Sequence, residues 1–173
     1  MNNKLFPLLI LLCVTTHIVR LIYEILKHKK ILKPNKLSFI IIFFNMVLLW
    51  TSWFLLCRFD TTTVYLHPLI RYLGIMLVIA GLIIFLIALL TIKTLETYEG
   101  SLIKTGIYSR IRHPMYLSFI LWLIGSPLFY GGIHSFFLLL PFVINVLYWR
   151  YLEEIELVNR FSDYESYKKR TLF

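Results

Sequence analysis

Cysteine is scarce in this chain, and its two cysteines are not spaced like ligands. Only two of the 173 residues are cysteine. Cys13 and Cys57 both lie in apolar runs and lack the spacing of a metal site, so we expect them to be small core residues. The chain has no internal repeat and no low-complexity linker. Its length allows one compact bundle and no separate soluble domain.

Acidic residues are also few. Nine Asp and Glu residues stand against 18 Lys and Arg residues, which gives a formal net charge of +9. A basic balance often indicates nucleic-acid binding, but here the basic residues lie between apolar runs. Orientation in a membrane and contact with anionic lipid explain that distribution better. We therefore expect membrane lipids, and no nucleic acid, among the partners.

Hydrophobic residues are abundant, at 59% of the chain, whereas a soluble domain is nearer half apolar. They form long runs, and a helix needs roughly 20 apolar residues to cross about 30 Å of hydrocarbon. The sequence therefore predicts an all-α, polytopic membrane bundle in a single domain, residues 1–173. About five transmembrane helices are predicted, at residues 5–26, 37–57, 68–92, 115–130 and 133–152.

Small and aromatic residues within these runs predict how the helices are arranged. Gly74 and Gly81 would allow another helix to approach the third span closely. Trp50 and Trp53 lie near the end of the second span, where interfacial aromatic residues are expected. The first run is not expected to be a cleavable signal, because only Lys4 precedes it and no small-residue cleavage site follows.

The last two spans are predicted to form a helical hairpin that turns at Gly131-Gly132. Its open ends carry two polar clusters, Arg112-His113 before the first arm and Glu153-Glu154 after the second. Because an antiparallel hairpin brings its open ends together, we expect these clusters to be neighbours. The charged and aromatic tail, residues 153–173, is expected to form a helix that runs out of the membrane.

The basic residues predict the orientation of the bundle. Most of the 18 lysines and arginines fall in segments that this arrangement places on one side, whereas Lys4, Arg58 and Arg71 fall on the other. By the positive-inside effect, the N-terminus is expected outside and the C-terminus in the cytoplasm. Segments 93–114 and 153–173 would then form a cytoplasmic cofactor site. We expect a multi-pass protein of the plasma membrane.

Three ionisable side chains lie near one helical face in the last turns of the first span: His17, Arg20 and Glu24. Snorkelling and local pairing near the interface are one explanation. The alternative is that they line a cofactor or substrate cavity, because ionisable groups in membrane spans usually face the bundle interior. The sequence leaves both interpretations open.

A polar motif immediately precedes the fourth span. Residues 106–116 read Gly-Ile-Tyr-Ser-Arg-Ile-Arg-His-Pro-Met-Tyr. Interface anchoring explains any one of these residues, but a proline that fixes the entry of the chain into the membrane, next to charged groups and tyrosines, is a less common combination. The motif residues are Gly106, Tyr108, Arg112, His113, Pro114 and Tyr116, and the second part follows as Glu153, Glu154, Leu157, Phe161 and Tyr167.

Taken together, the two parts resemble the isoprenylcysteine carboxyl methyltransferase and phospholipid methyltransferase families, which are integral-membrane enzymes that use S-adenosylmethionine. The resemblance covers roughly the C-terminal half, from about Gly100 to Arg170. It implies a cofactor pocket formed by Ser101, Leu102, Ile103, Tyr108, His113, Pro114, Met115, Tyr116 and Glu153. It also implies Arg112 and Arg150 as catalytic candidates toward the acceptor, and Glu154 is a third candidate if the acceptor needs a base. No metal is expected.

The implied acceptor is a lipophilic small molecule or a lipid-attached group, and its chemistry decides whether a base is needed. A carboxylate, such as that of an isoprenylcysteine-like group, is ionised at pH 7 and needs only a positioning cation such as Arg112 or Arg150. An ammonium on a lipid head group must first lose a proton, which would make Glu154 or His113 a candidate base. The sequence leaves oxygen, nitrogen and sulfur acceptors open.

The sequence departs from the family pattern at three positions. Gly100 stands where many relatives carry a polar residue, which puts one cofactor contact in question. Ser118 and Ser162 stand where glycine is usual, which affects backbone packing.

Two other functions stay open. Membrane reductases of the sterol type, which use NADPH, look similar around the Arg-His-Pro-x-Tyr element but are generally longer. A non-enzymatic membrane protein whose basic face binds anionic lipid is the third possibility.

Overall fold

The fold is a bundle of apolar helices, and the computed structural model describes residues 5–92 and 102–173. The helices are α1 (Leu5–His28), α2 (Lys36–Arg58), α3 (Pro68–Ile92), α4 (Pro114–Tyr130), α5 (Ile133–Arg160) and α6 (Tyr164–Lys168), and a 3₁₀ helix, Gly106–Ser109, precedes α4. The helices α1, α2, α3 and α5 are long and apolar enough to cross a membrane, and α4 is a shorter apolar helix. The prediction of a polytopic helical membrane bundle is confirmed.

Glycines bring α3 and α4 into close contact. A Cβ added to Gly74 would lie 2.7 Å from the carbonyl oxygen of Gly125, and one added to Gly125 would lie 2.6 Å from the carbonyl oxygen of Gly74. A Cβ on Gly81 would lie 2.8 Å from the Trp122 ring. Larger residues would therefore push the helices apart. The predicted role of Gly74 and Gly81 in close helix approach is confirmed.

The hairpin turns where the sequence predicts. Gly131 ends α4 in the left-handed conformation, with φ 76°, and Gly132 immediately precedes α5. Glycine adopts this backbone without steric cost, which is why it commonly ends helices. The backbone N–H of Val64 donates to the Gly131 carbonyl oxygen at 2.9 Å. This bond fastens the α2–α3 loop to the hairpin turn.

Asp60, in the same loop, binds the start of α5. Its carboxylate accepts hydrogen bonds from the Ser135 backbone N–H at 2.9 Å and from the Ser135 hydroxyl at 2.7 Å, and it lies 2.8 Å from His134 Nδ1. Burial opposes ionisation of this carboxyl, but the hydrogen bonds outweigh burial and hold the pKa of Asp60 below its usual value. A carboxylate at a helix N-terminus also interacts favourably with the helix dipole.

The core lies on the inner faces of α1, α2, α4 and α5. Trp53 is fully buried, and its indole N–H donates to the Trp122 carbonyl oxygen at 3.3 Å. Trp50 packs edge-on against the Trp122 ring. The prediction that Trp50 and Trp53 are interfacial anchors is wrong, because Trp53 lies in the core and the partly buried Trp50 packs against that core. Cys13 and Cys57 are buried and free, as expected.

The tail does not form a single helix that runs out of the membrane. After α5 ends at Arg160, the chain turns into the short α6 and then returns to the segment before α4. The Arg112 N–H donates to the Leu172 carbonyl oxygen at 3.0 Å, and the Leu172 N–H donates to the Arg110 carbonyl oxygen at 2.7 Å. The tail thus folds back over the open end of the α4–α5 hairpin, where its backbone groups find partners.

Candidate functional site

A cavity of about 760 Å³ lies among α1, α2, α3, α4 and α5. Small-molecule and cofactor sites commonly occupy about 300–1,000 Å³. The cavity has two parts with different chemistry. The polar half lies at the open end of the α4–α5 hairpin, and the apolar half lies between α2, α3 and α4.

The polar half contains most of the residues predicted to hold a cofactor. The residues that line it include Leu102, Ile103, Tyr108, His113, Pro114, Met115, Tyr116 and Glu153. The structure thus brings together segments that are far apart in sequence, because the hairpin places the start of α4 beside the end of the apolar part of α5. Ser101 and Gly100 lie outside the described residues.

His113 is buried at the start of α4. Its Nε2 lies 3.3 Å from the Tyr164 hydroxyl and 3.4 Å from a carboxylate oxygen of Glu154. Its backbone N–H donates to the Phe173 carbonyl oxygen at 3.2 Å. The ring is therefore held by both α5 and the tail, and the predicted meeting of the Arg112-His113 and Glu153-Glu154 clusters is confirmed.

Arg112 lines the cavity, but most of its contacts hold the tail. Its Nε donates to Glu154 at 3.3 Å, and its Nη1 donates to the carbonyl oxygens of Lys168 at 3.0 Å and Thr171 at 2.8 Å. Lys168 Nζ donates to the other oxygen of Glu154 at 3.2 Å. Arg112 and Glu154 therefore form a partly buried ionic cluster that closes the tail over the mouth.

Arg150 and Glu154, two of the predicted catalytic residues, are not among the residues that line the cavity. The Arg150 guanidinium lies 4.5 Å from the centre of the Phe173 ring, close enough for a cation–π contact. This contact anchors the C-terminal residue on α5. The third predicted catalytic residue, Arg112, does reach the cavity wall.

Two tail tyrosines line the polar half, although neither was predicted as a site residue and only Tyr167 belongs to the motif. Tyr164 and Tyr167 are buried, and the Tyr167 hydroxyl donates to the Tyr108 carbonyl oxygen at 2.6 Å. Burial raises the pKa of Tyr108, Tyr164 and Tyr167. Their hydroxyls therefore stay protonated near neutral pH and offer neutral hydrogen-bonding groups to the cavity.

The apolar half is lined by aromatic rings. Trp50 and Phe119 have ring centres 4.8 Å apart, and Phe85 of α3 lies 5.4 Å from Trp122. Long apolar residues of α2 and α3 complete this part of the wall. The surface suits an apolar chain or ring, since it offers few hydrogen-bonding groups.

Polar residues of α1 lie between the two halves. Arg20 and Glu24 form an ion pair one helical turn apart, their side chains are only 12% and 8% exposed, and both line the cavity. Of the two interpretations left open by the sequence, the structure supports cavity lining for this pair. His17 lies elsewhere, stacked on Phe142 with ring centres 3.7 Å apart.

The departures at Ser118 and Ser162 are accommodated locally. Ser118 is fully buried, and its hydroxyl donates to the Pro114 carbonyl oxygen at 2.8 Å. Ser162 does not adopt a positive φ, so its position does not require glycine. Within the described ranges, 5–92 and 102–173, no group of three or more His, Cys, Asp or Glu side chains is arranged to hold a metal ion.

Comparison with known proteins gives the family. Protein-S-isoprenylcysteine O-methyltransferase of Schizosaccharomyces pombe is 33% identical over 76 residues, which is 40% of this chain and 30% of that protein. The chain thus matches less than a third of that relative's length. No solved structure matches the sequence. A sequence profile of phospholipid methyltransferases matches residues 69–163, more than half of the chain. These residues include α3, the polar motif and the α4–α5 hairpin, and on the strength of that match the chain belongs to the phospholipid methyltransferase family.

Proposed function

We propose that this protein is a membrane methyltransferase that uses S-adenosylmethionine and acts on a lipophilic acceptor. One observation carries the proposal. A single cavity joins a charged mouth, built from the two-part motif, to an aromatic pocket among membrane helices. A polar cofactor and an apolar acceptor would therefore meet inside one site, as the family membership would require.

The residues of the polar half fit the cofactor. S-adenosylmethionine has an amino-acid tail with both charges, a sulfonium and an adenosine, and burying it is costly unless the charges are paired. Glu153 would bind an ammonium or ribose hydroxyls, and His113 and the tyrosines would supply further hydrogen-bonding groups, since all of them line the cavity. The face of Tyr116 is suited to a cation. When bound, the cofactor supplies an activated methyl group.

The chain's own contribution to the reaction would be positioning and exclusion of water. Methyl transfer is an in-line displacement, so alignment of the two reactants accounts for much of the rate. We propose that Arg112 and Glu154 contribute by holding the tail closed over the mouth, and that Arg150 supports them through Phe173. Tyr164 and Tyr167 would complete the wall.

The proposed side of the membrane is the cytoplasm. The loop between α1 and α2, the polar motif and the tail carry most of the basic residues, and all three lie at the same end of the bundle. This end also carries the polar half of the cavity. The cofactor would enter from water there, and the acceptor from the bilayer.

A thermal-shift measurement tests this function against the reductase alternative. The purified protein in a neutral detergent is heated with S-adenosylmethionine or with NADPH. We expect S-adenosylmethionine to raise the melting temperature in a saturable way, in the micromolar range typical of enzymes. A shift with NADPH alone would favour the reductase. No shift with either compound, in several lipid and detergent conditions, would contradict the proposal.

A further inference from the structure

The Arg20–Glu24 pair of α1 lies where the cavity changes from polar to apolar. Arg20 is level with Trp149, because its guanidinium lies 5.8 Å from the centre of that ring. Trp149 is one helical turn before Glu153 on α5, and both α1 and α5 run toward the polar end. Arg20 is therefore about one turn deeper in the bundle than Glu153.

The surroundings of Tyr116 support this placement. Tyr116 of α4 lines the cavity together with Glu153 of α5 and with Arg20 and Glu24 of α1. Its ring centre lies 6.1 Å from that of Phe119, and the Phe119 ring centre lies 4.8 Å from that of Trp50 in the apolar half. Tyr116 therefore connects the charged part of the wall to the aromatic part.

Packing does not use all of the hydrogen-bonding capacity of Arg20. One guanidinium nitrogen, Nη2, contacts Glu24, whereas Nε is buried and has no hydrogen-bond partner among the described residues. A guanidinium carries five N–H donors. Leaving such a group partly unpaired in the bundle costs free energy, and a group at the wall of a cavity can recover it by binding an anion.

The α1 pair also lies outside the part of the chain that matches the family profile, which begins at residue 69. The family match therefore does not itself account for the pair. A group that enters from the bilayer with its apolar part among Trp50, Phe119 and Trp122 would direct its head group toward the polar end of the cavity. Arg20 and Glu24 are charged side chains of the wall there.

We propose that Arg20, held in place by Glu24, binds an anionic group on the methyl acceptor, either a carboxylate or a phosphate. This inference rests on the proposed function and adds a specificity residue to it. An acceptor that carries only an ammonium would meet a like charge at Arg20. Glu24 is already paired with Arg20, so it acts as a positioning residue that fixes the direction of the guanidinium.

Binding of simple amphiphiles tests the inference without knowledge of the natural acceptor. Dodecanoate, dodecyl phosphate and dodecanol share a chain length and differ in the head group. Their binding to the protein in neutral detergent is followed by tryptophan fluorescence, since Trp50 and Trp122 line the cavity. We expect the wild type to bind at least one anionic amphiphile about tenfold more tightly than the alcohol, and the two anions to show which chemistry fits.

The main variant combines Arg20→Gln with Glu24→Gln, because removing both charges leaves no unpaired charge in the bundle, which would be strongly destabilising. This double variant should lose the preference for the anion. Glu24→Gln alone keeps the cation but leaves it unpaired and no longer held in direction, so it should lower the melting temperature and keep a weaker preference for the anion. Lys29→Gln is the matched control, because it removes one positive charge from the same side of the bundle outside the cavity lining, and it should also keep the preference.

Other outcomes would overturn the inference. If Lys29→Gln lost the preference for the anion as fully as the double variant does, the preference would come from general surface charge. If the wild type bound the anions no more tightly than the alcohol, the inference would be wrong. If the double variant lost S-adenosylmethionine binding but kept the anion preference, Arg20 would belong to the cofactor. If the wild type bound no S-adenosylmethionine at all, the proposed function would fail, while a preference that depends on Arg20 would still stand.

Discussion

Glu153 and Glu154 are consecutive residues whose side chains have different surroundings. Glu153 lines the cavity, as Tyr116 does. Glu154 accepts from Arg112 and Lys168 and lies 3.4 Å from His113 Nε2. One carboxylate thus faces the site, and its neighbour is used to hold the mouth together. The sequence predicted that the pair would meet the motif, but it could not assign these separate contacts, because both residues are glutamate.

Exchange of each glutamate for glutamine separates the two roles. We expect Glu153→Gln to weaken S-adenosylmethionine binding by about tenfold or more, since a hydrogen bond to a charged group contributes roughly 1.5–3 kcal/mol. Its melting temperature should stay near that of the wild type. Glu154→Gln should instead lower the melting temperature by several degrees, because it leaves Arg112 without its carboxylate.

Calorimetric titration with the cofactor and thermal melting in the same detergent provide both readouts. Equal effects of the two exchanges on cofactor binding and on melting temperature would show that the two carboxylates do not have separate roles.

The helices are arranged by small residues as much as by large ones. Gly74 and Gly125 face each other across α3 and α4, and neither has room for a Cβ atom. The sequence predicted that Gly74 would allow a close helix approach, because small residues occur in the third span. It did not identify the partner, because a glycine in a helix has the same local signal whether it meets another helix or not.

Gly125→Val should separate α3 from α4. The added side chain would collide with the Gly74 backbone, and such overpacking typically costs about 1–3 kcal/mol. We expect a lower melting temperature in detergent. The control is Ile79→Val on the outer face of α3, where the side chain is 50% exposed and should tolerate the change. A melting temperature for Gly125→Val equal to that of the control would be inconsistent with the close contact.

A second prediction concerns how Asp60 stabilises the start of α5, at the opposite end of the bundle. Asp60→Asn replaces an acceptor-only carboxylate, so the Ser135 N–H and hydroxyl lose the charge that they bind. We expect thermal melting at neutral pH to show a destabilised variant.

The pKa of Asp60 is held below its usual value, so its contribution to stability is present at neutral pH and is lost as the pH falls through the folded-state pKa. The melting temperatures of the wild type and Asp60→Asn should therefore converge in acid. A difference in melting temperature between the two proteins that stayed constant at every pH would show that ionisation of Asp60 is not the cause.

At the scale of the whole molecule, the apolar runs, the hairpin turn and the meeting of the two polar clusters were predictable. Each follows from a local signal: run length, the Gly131-Gly132 pair, and the antiparallel geometry that the turn imposes. The return of the tail was not predictable, because it depends on backbone hydrogen bonds between Arg110 or Arg112 and Leu172, and backbone groups are the same in every residue. Trp53 was misplaced for a related reason, since tryptophan is common both at interfaces and in cores.

The orientation of the bundle gives a prediction for the whole molecule. Single exchanges Ser162→Cys in the tail and Thr61→Cys in the α2–α3 loop introduce exposed thiols at opposite ends. The native Cys13 and Cys57 are buried and should give little background. A membrane-impermeant thiol reagent should label Thr61→Cys in intact cells and Ser162→Cys only after the membrane is opened. The reverse pattern would place the proposed cofactor site on the outer side.

Transfer of a labelled methyl group tests the central claim most directly. The purified protein is incubated with S-adenosylmethionine labelled on the transferred methyl group and with a total lipid extract, and the organic phase is counted and separated. We predict label in a lipophilic product with the wild type, and at least about tenfold less with Glu153→Gln. Cofactor binding in the calorimeter without any label in the organic phase, across lipid extracts and an S-isoprenylcysteine probe, would contradict the account.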